Sequence, residues 1–178
     1  MSLIYLLSSL PTLTFGTPPA LTPEAFLEAC HEQLNPTDAH AAAALLRGEP
    51  CTHPFALAWQ DKETILRNAI ARLRARRSNQ EATRWLHTPQ GCDSQIESLV
   101  EDAFEEPDAL KREQALEKAR WLIAEELEGP DPLSVKMVFG YAIRLALAIR
   151  WTQINVESGQ KAFETLTDTP MTLRTTGA

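Results

Sequence analysis

The stretch Pro132 to Leu166, PLSVKMVFGYAIRLALAIRWTQINVESGQKAFETL, decides the fold, because it is the least polar long segment of the chain. Val138, Tyr141, Ala142, Leu145, Ala148 and Ile149 recur at steps of three and four residues, the spacing that lines up one side of an α-helix. Met137, Ile143, Leu147, Trp151 and Ile154 occupy the other sides, and only Lys136, Arg144 and Arg150 bring charge. The pattern therefore predicts a helix enclosed by neighbours over most of its circumference. It is too interrupted for a membrane span, which needs about 20 predominantly apolar residues. Asp131 as N-cap, with Pro132 in the first helical position, predicts where the helix starts. Asn155 can cap a second helix in the same way, and a short turn over Thr152 to Asn155 then folds the two back on each other. Gly159 inside that second helix costs roughly 1 kcal/mol relative to alanine.

Toward the N-terminus the chain reads as a series of capped helices. Thr22-Pro23 starts one, with Phe26, Leu27, Cys30 and Leu34 as its apolar face, and Asn35-Pro36 starts another that Gly48 ends. A long helical segment is expected from Phe55 to about Leu86, hinged near Ser78-Asn79, with Leu57, Ile65, Ile70 and Leu73 in the core. Thr88 to Asp93, holding Pro89 and Gly91, is the clearest loop. Beyond it, Ile96, Leu99, Val100 and Phe104 mark a short helix. A longer one runs from Asp108 to Leu127, with Leu116, Ala119, Leu122 and Ile123 inside, and Gly129-Pro130 stops it. No run of alternating β-branched residues is long enough for a sheet. The expected architecture is all-α, a multi-helix bundle of antiparallel helix pairs with a short extended piece or short helix at the N-terminus. It forms one helical domain over 1–178, divisible into two lobes near 88–93, with residues 167–178 a frayed tail.

The 178 residues are enough to bury a real core, and 44% hydrophobic with 23% charged residues is an ordinary soluble balance. A net charge of −7 argues against general nucleic-acid binding, since phosphate contacts need a positive field. Three cysteines, Cys30, Cys51 and Cys92, suit a reducing cytoplasm better than a disulfide scaffold. The opening MSLIYLLSSLPTLTFG lacks the basic n-region of a secretory signal, so its apolar residues are expected to tuck into the fold.

Candidate chemistry is sparse. Glu28 and His31 form one Glu-x-x-His pair, whereas di-iron bundles need two such pairs and two further glutamates. Cys30, His31, Cys51, His53, His87 and Cys92 are zinc-type residues, but no tight Cys-x₂₋₄-Cys hook is present. No Gly-x-Ser-x-Gly elbow or phosphate-binding glycine loop occurs. The expectation is a protein without a cofactor or metal and without enzymatic activity, an enzyme with an unrecognised site being the alternative, since triads assemble from distant positions.

Charge is more informative. Arg67, Arg72, Arg74, Arg76, Arg77 and Arg84 crowd one helical stretch in which Glu81 is the only acid, while Asp93 to Asp131 carries 13 acids against Lys111, Arg112, Lys118 and Arg120. Two readings stay open: the oppositely charged helices neutralise each other inside the fold, or the arginines dock an acidic protein surface through bidentate pairing. RNA binding through Arg72 to Arg77 is a third, and it lacks interleaved aromatics.

Two segments carry a resemblance. IYLLSSLPTLTFGTPPALTPEAFLEAC, Ile4 to Cys30, resembles the opening of a family of uncharacterised bacterial proteins encoded beside V-type (V/A-type) ATPase subunits. GYAIRLALAIRWTQINVESGQKAFETL, Gly140 to Leu166, looks like the closing helix pair of that family. More distantly, it looks like a helix pair of the funnel-shaped central-stalk component of V-type ATPases. The resemblance implies an all-α accessory or stalk-type protein that performs no chemistry and contacts rotor or stalk subunits of a rotary ATPase. Its expected location is then cytoplasmic, peripheral to the membrane through that complex, with Arg67, Arg72, Arg74, Arg76, Arg77 and Arg84 as the expected partner-binding residues. At 178 residues the chain is about half the length of such a stalk component, and a reduced coupler, an assembly factor and an accessory subunit are the readings left open.

Overall fold

A computed structural model describes residues 2–88 and 91–153, and these residues form seven α-helices and a single 3-10 turn, with no strand among them. The all-α expectation holds. Helix α1 (Leu3–Ser9) is followed by an irregular segment, then α2 (Pro23–Gln33), α3 (Pro36–Arg47), α4 (Pro54–Arg77), the 3-10 turn Thr83–Trp85, α5 (Ser94–Glu105), α6 (Ala109–Glu128) and α7 (Lys136–Gln153).

Side-chain caps explain most of the starts. Thr22, Asn35, Asp93 and Asp108 each accept a hydrogen bond from a first-turn amide, and α2 and α3 carry proline at the start of the helix. Gly48, at φ 68°, ends α3 in the left-handed conformation that glycine adopts without penalty, and the Glu49 amide donates back to the Ala44 carbonyl at 2.8 Å.

Two predicted boundaries move. The long segment does not hinge at Ser78-Asn79 and run on to Leu86; α4 stops at Arg77. Asn79 takes a positive φ of 51° and the Gln80 amide closes onto the Ala75 carbonyl at 2.9 Å, so this pair is a helix stop built on the residue that, after glycine, best tolerates the left-handed region. Nor do Asp131 and Pro132 start α7, which begins at Lys136. The Asp131 carboxylate accepts from the Leu133 amide at 3.0 Å and its carbonyl from the Ser134 amide at 3.2 Å, which makes a β-turn. Asp-Pro is as good a signature for positions i and i+1 of such a turn as for a helix start. The predicted second helix capped by Asn155, Gly159 within it, and the 167–178 tail lie outside the described residues.

The core has two parts. In the first, α7 is enclosed as expected: Val138, Phe139, Ala142 and Leu145 are fully buried among Leu6, Phe26, Cys30, Ala41, Ala42, Phe55 and Trp121. In the second, Leu66, Ala69 and Ile70 of α4 meet Ile96, Val100 and Phe104 of α5 and Leu116, Ala119 and Ile123 of α6. Helices α4 and α6 contribute to both, so burial on either side stabilises the same two helices. Leu57, expected inside, is instead 46% exposed, because the first turn of α4 turns Phe55 and Ala56 inward. Asn68, fully buried, pins the segment after the 3-10 turn: its amide nitrogen donates to the His87 carbonyl at 2.7 Å and its oxygen accepts from the His87 amide at 2.9 Å.

Candidate partner-binding surface

The six arginines do not share one face. Arg72 and Arg76, one helical turn apart, turn toward α5 and pair with Glu97 at 2.9 Å and Glu101 at 3.1 Å. Arg77 follows them: it donates to the Phe104 carbonyl at 2.8 Å and lies 5.1 Å from the Phe104 ring centre, with Arg112 of α6 at 5.3 Å from the same ring. Arg72 and Arg76 thus meet the acidic helix by charge, and Arg77 by a backbone carbonyl and an aromatic ring.

Arg67 and Arg74 are two turns apart and border a groove between α4 and α6. Arg67 is 68% exposed and meets Glu63 at 3.0 Å along its own helix. Arg74 is exposed and, among the described residues, has no carboxylate partner within 4.0 Å; its guanidinium lies 5.9 Å from the Phe104 ring centre. Arg84 packs over the half-exposed Trp85 at 4.1 Å. The groove holds about 510 Å³, with Ile70, Ala71 and Leu116 among its lining residues and Arg67, Arg74 and Trp85 beside them.

A second polar cluster, unforeseen in the sequence, sits where α4, α6 and α7 meet. Arg120 engages Glu63 with both its Nε and its Nη2, at 3.1 to 3.2 Å, and Glu117 at 3.4 Å, while Arg150 reaches Glu117 at 2.8 Å. Burial pushes the Glu117 carboxyl above the usual carboxylate range, opposed by the positive charges of Arg120 and Arg150. Beside it opens a cleft of about 650 Å³ lined by Glu63, Arg67, Arg120 and Arg150. Glu117 itself is 1% exposed, and both arginines meet the same oxygen, Oε1.

Farther along the same helices, Glu128 meets Arg144 at 2.6 Å, and Arg144 lies 5.5 Å from the ring centre of Trp121, whose Nε1 donates to Glu125 at 2.7 Å. Gly140 makes this possible, since a Cβ there would overlap the Glu128 side chain. Lys62 ties three helices together, binding Asp93 at the start of α5 at 2.7 Å and Glu126 of α6 at 3.3 Å. The hydrogen bond to Asp93 raises the Lys62 ammonium and lowers the Asp93 carboxyl from their ordinary values.

The metal-type residues stay apart. Glu28 and His31 are exposed on α2, Cys30 is buried beneath them, Cys51 is half-buried and Cys92 exposed. Among the described residues no three His, Cys, Asp or Glu side chains gather in a metal-binding array, and no helix is long and apolar enough to cross a membrane.

No curated protein and no solved structure matches the chain. Residues 94–172 match a family described as "Protein of unknown function (DUF2764)", under half of the chain, which takes in α5, α6 and α7 with Glu117, Glu128 and Gly140 but leaves out the arginines of α4.

Proposed function

We propose that the chain is a non-catalytic helical binding protein that attaches to a V-type ATPase as an accessory or stalk-type component. The observation that carries the binding role is the surface of Arg67, Arg74 and Arg84, cations presented to solvent by a chain of net charge −7. Guanidinium groups beside an exposed indole are the residue types that anchor protein interfaces. The ATPase as the target comes from the resemblance of Ile4 to Cys30 and Gly140 to Leu166 to proteins encoded with its subunits. Within the described residues the two segments touch, for Phe26 of the first stacks on Tyr141 of the second with ring centres 5.5 Å apart. The test is a pull-down of purified V-type ATPase on the immobilised chain. Enrichment of a stalk or rotor subunit is expected, and a preparation that passes through without any subunit retained overturns the assignment.

A further inference from the structure

We infer that the groove between α4 and α6 receives an acidic amphipathic helix of a partner protein; this rests on the binding role proposed above and names the chemistry of what is bound. Arg67 and Arg74 stand seven residues apart on α4, which is two helical turns, or about 10 Å. A helix laid along the groove repeats its own faces at the same interval, so carboxylates at i and i+7 meet the two guanidiniums together. Between them the half-buried Ala71 and the edge of Ile70, 9% exposed, lie over the buried Leu116 and form a small apolar floor for that helix. Trp85, 39% exposed and backed by the Arg84 guanidinium at 4.1 Å, closes one end as an aromatic anchor.

Charge complementarity selects the occupant. Arg67 and Arg120 share Glu63, and Glu113 also lines the groove, yet Arg74 and Arg84 remain without a carboxylate partner among the described residues. The groove is thus a positive strip on an acidic protein, which a helix bearing a few carboxylates fits. A nucleic acid fits less well, since the whole chain's net charge of −7 repels a continuous polyanion and one exposed indole gives little to stack on.

The probe is a synthetic amphipathic peptide of about 18 residues with glutamates seven apart flanking leucines, long enough to span the two turns. Its binding to the full chain is followed by calorimetry, beside the same peptide with lysine for glutamate and a single-stranded oligouridine. The glutamate peptide is expected to bind, roughly tenfold or more weakened in Arg67→Glu/Arg74→Glu and weakened again by salt. Both positions are exposed, and far-ultraviolet circular dichroism of the variant checks that it stays folded; Trp85→Ala, made separately, is expected to weaken binding too. Equal binding of the glutamate and lysine peptides, no binding of the glutamate peptide, or tighter binding of the oligouridine through the same arginines overturns the inference. ATPase subunits retained equally by wild type and by Arg67→Glu/Arg74→Glu would sink the groove while leaving the ATPase assignment standing. Peptide binding without subunit retention would do the reverse.

Discussion

Arg150, near the end of α7, reaches Glu117 on α6 at 2.8 Å, and although the arginine is more than half exposed, the carboxylate it meets is closed off from water. A buried carboxylate is costly unless donors surround it, and here one of its oxygens, Oε2, has no hydrogen-bond partner among the described residues. Arg150 therefore does more than an ordinary surface ion pair. Arg150→Ala leaves Glu117 only the Arg120 contact at 3.4 Å and is expected to cost about 1–3 kcal/mol, read from the urea midpoint. Adding Glu117→Gln to it should recover part of the loss, because the amide no longer carries a buried charge. An Arg150→Ala cost below about 0.5 kcal/mol would mean that the pair behaves like an exposed one.

The same cluster sets a pH dependence. Burial raises the Glu117 and Glu128 carboxyls, against Arg120 and Arg150 in the first case and Arg144 in the second. A carboxyl whose folded pKa lies above its unfolded value of about 4.3 holds its proton more tightly in the folded state. Its contribution is fully present below about pH 4.3 and is lost as pH rises through the raised folded value. Asp93, lowered by Lys62, works the other way: its contribution is present above about pH 3.9 and lost as pH falls through the lowered folded value. Denaturation at a series of pH values should show Glu117→Gln gaining on wild type as pH rises from about 4.3, and the Asp93→Asn deficit shrinking in acid. A difference between Glu117→Gln and wild type that stays flat from about pH 4 to about 8 contradicts the burial assignment.

Much of this is legible in the sequence because it is written in local chemistry. Asn35-Pro36 at one end and Gly48 at the other bracket α3 as the capping rules require, and the dense apolar pattern of Val138 to Ala148 announces a helix enclosed by others. The boundaries that move fall on dipeptides that serve two structures: Asp131-Pro132 opens a β-turn as readily as a helix, and Ser78-Asn79 ends one as readily as it bends it. The arginine run reads as one partner-binding set, although the four-residue step from Arg72 to Arg76 and the seven-residue step from Arg67 to Arg74 already place two sides. Which side meets α5 depends on packing the sequence does not encode locally. Glu117 and Glu128 escape notice because a glutamate on a charged helix looks solvated. Their signal is the stripe Glu117, Trp121, Ala124 and Glu128, and a glycine, Gly140, on the apolar helix it faces.

Gly140 offers a test in which two effects of opposite sign compete. Alanine is the better helix former by about 1 kcal/mol, so on propensity alone Gly140→Ala stabilises α7. The added Cβ, however, overlaps the Glu128 side chain, which Arg144 holds in place. Overpacking of this kind costs about 1–3 kcal/mol, and the net change is expected to be destabilising. In a Glu128→Ala background the overlap is gone, and the same substitution should become neutral or favourable. A double-mutant cycle by thermal unfolding reads the coupling directly, and additive effects would show that the two residues do not touch.

Neighbouring arginines on α4 should differ sharply. Arg76 and Glu101 are 64% and 57% exposed, so Arg76→Ala is expected to change stability by less than about 0.5 kcal/mol. Arg77 lies against the Phe104 ring and donates to the Phe104 carbonyl, one of the last-turn acceptors that α5 cannot satisfy by itself. Arg77→Ala should cost about 1–2 kcal/mol through the lost cation–π contact and the carbonyl left without its donor. Equal costs for the two variants would argue that Arg77 does not cap α5.

The cysteines report on the first core without any mutation. Cys92 is exposed, Cys51 is half-buried with the His53 amide 3.5 Å from its sulfur, and Cys30 of α2 is 1% exposed within the first core. Burial pushes the Cys30 thiol up to about 12, so at about pH 8 almost none of it is the thiolate that attacks a disulfide reagent. Titration with an aromatic disulfide should therefore label Cys92 first and Cys51 more slowly. Cys30 should react only in step with opening of the core, at a rate that rises with urea as the global transition is approached. Because Cys30 shares the first core with Phe26, which stacks on Tyr141 of α7, prompt labelling of all three thiols in native buffer would show that this core is open around α2, and with it would fall the Phe26–Tyr141 contact between the two segments on which the ATPase assignment draws.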